Sequence, residues 1–229
     1  MILDKKKIIK GNFWLYVILG VLVSAFFLRV FVFEIYTVER NSMNNSFFDG
    51  DKVVINKLCK KSLSRNDVVV FHHYRDAYIK RCIGMPGEII EIKNGTIIIN
   101  GKKIDFPSKA VIPDTIQSLK LNPKYVTNIV MLDIYGKYWD LKNFGPYIIP
   151  KKGMKIQLTN ENLKLYKNNL ESTEEMAKPV EENNGVNNSY TFQHDYYFVL
   201  GDNRPKSDDS RSFGAINETQ IIGKTSFRF

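Results

Sequence analysis

Along this chain the hydrophobic positions first lose all periodicity and then take up the period of strands. Between Gly11 and Leu28 an almost uncharged run carries Phe13, Trp14, Leu15, Val17, Ile18, Leu19, Val21, Leu22, Val23, Phe26 and Phe27, which leaves no polar face. As a helix those roughly 18 positions would span about 27 Å, close to a bilayer core. Arg29 interrupts the run, yet Val30 to Phe33 are apolar again. A transmembrane helix is therefore predicted over 11–33, with the arginine snorkelling to the headgroups. A cleaved leader is the rival reading, but the run is long for one and no Ala-x-Ala site follows it. Lys5, Lys6, Lys7 and Lys10 precede the helix, which predicts a cytoplasmic basic tail over 1–10 and the rest of the chain on the outer side.

Beyond the helix the apolar residues come in short β-branched and aromatic runs. Asp51 to Asn56, Asp67 to Phe71, Tyr78 to Ile83, Glu88 to Ile92 and Thr96 to Ile99 read as strands. Asn94-Gly95 is a two-residue hairpin signal and Asn100-Gly101 a second turn. Tyr196 to Leu200 and Ile221 to Phe229 resume the pattern near the end. So many short strands with so few helical periods predict a mainly β, antiparallel, barrel-like domain built from 34–101 and 191–229. The stretch 102–190 reads as an insertion, partly flexible. It is weakly patterned around Pro113, Pro123, Pro146 and Pro150, then carries a short helix from Asn160 to Leu170. An acidic, Asn-rich loop follows from Glu171 to Ser189.

Composition adds one constraint. Lys and Arg number 33 against 24 Asp and Glu, a net charge of +9, which suits an anionic surface. No helix-turn-helix, zinc-finger or aromatic RNA-binding pattern accompanies the charge, so a lipid headgroup layer is the better partner and no nucleic acid is expected. Cys59 and Cys82 have no CxxC or ligand spacing, and His72, His73 and His194 make no zinc motif with them, so no metal is inferred. A Cys59–Cys82 disulfide would require their Cβ atoms to meet, and buried, unpaired thiols are the expectation.

Chemistry enters at Tyr78-Ile79-Lys80-Arg81-Cys82-Ile83, followed by the turn signal Gly84-Met85-Pro86-Gly87. Alternation puts Tyr78, Lys80 and Cys82 on one face and Ile79, Arg81 and Ile83 on the other. One basic residue can then be buried, and a buried lysine sheds its proton more readily and can act as a base. The alternative is a solvated pair of charges on an edge strand. Two further pieces bear on the choice: Arg40-Asn41-Ser42-Met43 upstream, and Gly201-Asp202-Asn203-Arg204 running to Ser207-Asp208-Asp209-Ser210-Arg211 downstream.

Together and in this order these boxes resemble the type I signal peptidases, membrane-bound serine proteases with a Ser/Lys pair. The resemblance covers most of the chain, including the membrane segment, the strand Asp67 to Phe71 and the Gly-x-Pro-Gly-Glu turn. It implies a signal-peptidase/LexA-type β fold with one N-terminal transmembrane helix, and removal of leader peptides from exported preproteins at the outer face of a bacterial cytoplasmic membrane. It implies Ser42 as nucleophile, Lys80 as general base, and a Ser207 hydroxyl that hydrogen-bonds the amine and aims it. Asp209 and Arg211 would brace that loop, and Gly201, Asp202 and Asn203 would form its turn. Tyr78 would help to keep the amine dry. No cofactor is implied, and specificity would rest on shallow apolar pockets for small residues. An unperturbed lysine is neutral in only roughly one molecule in 2500 at pH 7, so burial must lower its pKa by about 2.5 to 3.

The Ser42 loop departs from the family. The usual Ser-Gly-Ser-Met-x-Pro-Thr-Leu is here Arg40-Asn41-Ser42-Met43-Asn44-Asn45-Ser46-Phe47. Arg40 stands where a second oxyanion hydroxyl is common, leaving the Ser42 N–H, with Arg40 or Asn41 as candidate replacements. Asn45 in place of proline loosens the loop. Two alternatives follow: a catalytically silent, membrane-tethered protein that binds leader peptides, and a Ser/Lys self-cleaving repressor-like protease. Phe31, Phe33, Tyr36, Phe47 and Phe48 are expected either as an apolar rim dipping into lipid or as ordinary core, and Cys82 is expected near Lys80.

Overall fold

The computed structural model describes residues 5–105, 139–171 and 189–229. Helix α1, Lys5–Phe27, ends in a π-helical turn, Leu28–Val32, and strand β1, Phe33–Thr37, begins at once. The helix thus starts inside the basic tail and stops short of residue 33. One segment, Phe13–Val32, is long and apolar enough to cross a membrane, and none of it is buried against protein. Its length and all-round apolar character are those of a membrane span.

The strands that follow are β2 (Lys52–Asn56), β3 (Val68–His73), β4 (Asp76–Gly84), β5 (Ile89–Lys93), β6 (Thr96–Ile99), β7 (Lys102–Lys103) and β8 (Phe144–Ile148). After them come β9 (Lys155–Gln157), β10 (Ser189–Thr191), β11 (Tyr196–Leu200), β12 (Ile216–Asn217) and β13 (Ile221–Arg228). Seven of them form one antiparallel sheet in the order β1-β2-β13-β3-β4-β11-β12, and β7-β6-β5-β8 form a second. The first sheet is open, with β1 and β12 at its edges, and β9 and β10 form a third, two-stranded sheet, so the expected antiparallel β fold is met by open sheets rather than a closed barrel among the described residues. The turn predictions match the backbone: Asn94 and Gly95 (φ 49 and 79) join β5 to β6, and Asn100 and Gly101 (φ 50 and 77) join β6 to β7.

Part of the stretch read as an insertion is built into the second sheet, since β8 pairs with β5. The helix expected from Asn160 to Leu170 is two short helices, Asn160–Leu165 and Lys167–Glu171, the first capped by the Thr159 hydroxyl. Leu165, Tyr166 and Leu170 from this pair join Tyr147, Phe192 and Phe198 in the largest core cluster. Pro113 and Pro123, and most of the Glu171 to Ser189 loop, lie outside the described residues.

Strand β4 has a core on each face. Register pairs Lys80 with Val69 and Tyr78 with Phe71 on one side, where Val69, Phe71, Cys82, Val199 and Phe213 pack. On the other side Ile79 and Val70 join Val38, Val53, Ile55 and Ile222. Strand β11 pairs Leu200 with Arg81 and ends there, so the residues that follow are delivered across Lys80. The aromatics of the expected rim divide. Phe31, Phe33 and Phe48 are exposed, whereas Tyr36 and Phe47 pack against the Val38 cluster.

Candidate active site

The alternation of β4 sends Lys80 inward, where it is 3 % exposed, and Arg81 to the opposite face. The Lys80 amine is 2.8 Å from the Ser42 hydroxyl and 3.0 Å from the Ile79 carbonyl, with the Tyr78 ring centroid 5.2 Å away. Burial is the main reason its pKa falls from 10.5 to about 8; the Arg40 charge acts in the same direction, while Asp209 and Asp208 act against it. At pH 7 roughly one such amine in ten is neutral, against roughly one in 2500 for a free lysine. A neutral amine offers its lone pair to the hydroxyl proton, so the pair is set for proton transfer.

Ser42 sits in a tight turn between β1 and β2. Met43 is wholly buried beneath it, and its carbonyl accepts from the N–H groups of Ser46 and Phe47 at 3.0 and 2.9 Å. The turn contains two left-handed residues, Arg40 (φ 70) and Asn45 (φ 83). Proline is fixed near φ −65° and cannot occupy the Asn45 position, whereas asparagine tolerates it. A proline at this position would therefore require a different backbone path. The Arg40 turn is pinned by its N–H, which donates to Asp49 Oδ1 at 2.8 Å. Among the described residues the Ser42 N–H donates to no group, and it is free to face a developing oxyanion.

The downstream box grips this loop from behind. The Asn203 N–H donates to the Ser42 carbonyl and its side-chain amide to the Asn41 carbonyl, each at 2.9 Å. Asp202, wholly buried, accepts two bonds from Arg81 at 2.8 and 2.6 Å, and Arg81 reaches on to the Ser46 hydroxyl at 3.2 Å. Gly201 is needed for space, because a Cβ there would collide with the Ser207 side chain and the Ser42 carbonyl. Asp209 and Arg211, each 1 % exposed, are joined at 2.8 and 2.9 Å, and Asp209 also accepts from the Gly201 N–H at 3.1 Å. Burial alone would raise the Asp209 pKa; the Arg211 charge and these bonds outweigh it and hold the carboxyl below its usual range. Arg204 donates to the Gly201 carbonyl at 2.8 Å.

The structure brings Ser42, Lys80 and Tyr78 together, with Asn41 and Arg40 beside them. Ser207 differs from expectation. Its hydroxyl is buried and near enough to Asp209 to favour the carboxylate, but it makes no hydrogen bond of full geometry to Lys80 or to any other described group. The amine already meets Ser42 and the Ile79 carbonyl. Cys82 is wholly buried on the Lys80 face, with its thiol pKa pushed up to about 12 by burial, and both cysteines are free. Sequence reasoning missed the direct grip of Asn203 on the Ser42 backbone and the Arg81–Asp202–Ser46 brace. It also gave no role to Asp208, which lies between the motif residues.

The site thus pairs a serine hydroxyl with a buried amine, without a histidine in the pair. Comparison with known proteins gives the family. The model for signal peptidase, peptidase S26, matches residues 12–229, and the chain belongs to that family. Signal peptidase IB of Staphylococcus aureus strain COL is 32% identical over 98% of this chain and 91% of its own length. Signal peptidase I P of Bacillus subtilis subsp. natto is 29% identical over 96% and 90%. A crystal structure of a signal peptidase I from Enterococcus faecalis aligns with 72% of this chain and 98% of its own, at 24% identity and a TM-score of 0.35. The assignment rests on the sequence matches, which make this a signal peptidase I-type enzyme.

Proposed function

We propose that this protein is a single-pass membrane serine endopeptidase that removes N-terminal signal peptides from exported preproteins, with Ser42 as nucleophile and Lys80 as general base. The observation that carries the reading is the 2.8 Å contact between the Ser42 hydroxyl and an amine that burial keeps largely deprotonated above about pH 8. As Ser42 Oγ attacks the scissile carbonyl, its proton passes to Lys80, and the Ser42 N–H faces the oxygen that becomes negative. Lys80 then gives the proton to the departing amine. Water, deprotonated by the same lysine, hydrolyses the resulting ester. Ser207, buried beside the Asp209 loop, is the residue we assign to receive and aim the amine when Ser42 becomes acylated. Asp209 and Arg211 hold that loop, and Gly201, Asp202 and Asn203 hold the nucleophile.

The apolar Phe13–Val32 segment supports an anchor. The lysines before it favour a cytoplasmic N-terminus, with the β domain on the outer face of a bacterial cytoplasmic membrane. Its partners on this reading are membrane lipid and the signal peptides of preproteins, with small residues in shallow apolar pockets before the cut. The test is cleavage of a preprotein by Ser42→Ala and Lys80→Ala in detergent. Both variants are expected to be inactive, and cleavage retained by either sinks the mechanism. The silent-binder alternative draws on Arg40 standing where the family pattern has a hydroxyl; it requires that a penem acylator leave Ser42 unmodified.

A further inference from the structure

The register of the first sheet puts Lys80 in line with the end of the apolar segment. Phe33, Asn56, Lys224, Val69 and Lys80 are successive partners across β1, β2, β13, β3 and β4, so they form one row. Phe71 and Tyr78 lie on the side of that row from which the chain enters β1, and the β3–β4 turn with His73 and Tyr74 lies further out the same way. Strand β11 pairs with β4 only between Arg81 and Gly84, so among the described residues no strand covers the other edge of β4 beside Tyr78. Next to this stretch is a recess of about 300 Å³. Buried Phe213, Ala215 and Ile216 give it an apolar wall, half-buried His73, Asn168 and Gln220 stand around it, and Tyr74, 90 % exposed, completes the lining. The His73 ring centroid is 4.3 Å from that of Phe213 and 5.2 Å from that of Tyr78, whose own ring is 5.2 Å from the Lys80 amine. The recess therefore begins two rings away from the dyad, on the Lys80 face of β4. Asn169 accepts from the Tyr147 hydroxyl at 2.9 Å and donates to the Ala215 carbonyl at 2.6 Å, which fixes the helix carrying Asn168 to the Ala215 wall.

We propose that this recess is a subsite for an aromatic side chain of the leader peptide, carried by the fourth residue before the cut. The inference rests on the reading above that leader peptides are the substrate and meet Ser42. A chain that comes from the membrane passes Tyr74 and Tyr78 before it reaches Lys80, so residues before the cut, not after it, run beside the recess. Extended, such a chain advances about 3.3 Å per residue and turns alternate side chains to opposite faces. His73 pairs with Asp76 and Val69 with Lys80, so the recess lies about three residues, roughly 10 Å, upstream of the attacked carbonyl. The third and fifth residues then face the Ile79 side, where Val38 and Val70 pack. The volume suits one large side chain. The rings of His73, Tyr74 and Phe213 favour an aromatic one through edge and offset contacts, and the Asn168 and Gln220 amides offer hydrogen bonds to the polar tip of a tyrosine or tryptophan.

The test uses the full chain in detergent micelles and has two readouts. In the first, Ser42→Ala is photo-crosslinked to leader peptides carrying p-benzoylphenylalanine at the third, fourth or fifth position before the cut. Position four is expected to join the digest fragments that hold His73 and Tyr74 or Phe213 to Ile216, and positions three and five are expected not to. In the second, kcat/KM is measured for fluorogenic leader peptides with phenylalanine or serine at position four. Phenylalanine should be preferred by about three- to tenfold in the parent, mainly through KM. Tyr74→Gly, which suits the left-handed backbone there (φ 53), should lower that preference by about threefold, and Asn168→Trp, which fills the recess, should abolish it. Each preference is a ratio within one variant, so a general loss of folded enzyme does not move it. Adducts from position four elsewhere in the chain, no preference in the parent, or a preference unchanged in either variant overturns the inference and leaves the dyad standing. Cleavage retained by Ser42→Ala would instead remove the dyad reading, and the site of the adduct would still decide this one.

Discussion

Replacing Lys80 with methionine should abolish cleavage and at the same time make the folded domain more stable at neutral pH. The amine is 3 % exposed, and a fall from 10.5 to about 8, mostly from burial, corresponds to a net cost of about 3 kcal/mol for keeping the charged form in the fold. The folded-state pKa lies below the unfolded one, so this cost is fully present below about pH 8 and vanishes as pH rises towards 10.5. Methionine fills a similar volume without the charge, but leaves the Ser42 hydroxyl and the Ile79 carbonyl without the amine. Those losses return about 1 to 2 kcal/mol. Lys80→Met should therefore gain about 1 to 2 kcal/mol near pH 7. Between pH 8 and 10.5 the parent should gain on it by about 3 kcal/mol. Urea unfolding in detergent, followed by fluorescence of the buried Trp139, reads this directly. A stability difference that stays flat across that pH range would refute the claim that the amine is held uncharged by burial.

Three further outcomes follow from the loop and its surroundings. Gly201→Ala, which pushes a methyl into Ser207 and the Ser42 carbonyl, should cut kcat by about 10- to 100-fold with a smaller change in KM; unchanged turnover would show that the contact is not needed. Asn45→Pro, which restores the family residue but cannot take φ 83, should lower stability by about 1 to 3 kcal/mol in thermal unfolding, while Asn45→Gly should be neutral or stabilising. A bulky thiol reagent should modify Cys59, which is partly exposed, and spare Cys82 in the folded protein at pH 8; mass spectrometry of the digested protein distinguishes the two sites.

The elements near the site were legible where the signal is local. Period-two alternation in β4 was enough to put Lys80 and Arg81 on opposite faces, and Asn-Gly pairs fixed two turns, because these depend on residues within a few positions. Residues far apart in sequence were not legible in this way: Arg81 and Asp202 are 121 positions apart, and Asn203 meets Asn41 across 162. The boxes named these segments as partners, but only the fold shows Asn203 bonded to the Ser42 carbonyl. Strand β1 was hidden because Val30 to Phe33 continues the apolar character of the span, and nothing local marks where lipid-facing helix becomes paired strand. The open first sheet was likewise beyond local pattern, since closure depends on which edges meet. The left-handed turn at Arg40 was invisible too, as arginine carries no signal for positive φ.

The central claim is tested most directly by the rate at which a penem acylates Ser42 as a function of pH, followed by intact mass and peptide mapping. A buried general base requires an adduct on Ser42 whose rate of formation rises through about pH 8, and no adduct in Lys80→Ala. An adduct that forms equally fast without Lys80, or none on Ser42 at any pH, would contradict it.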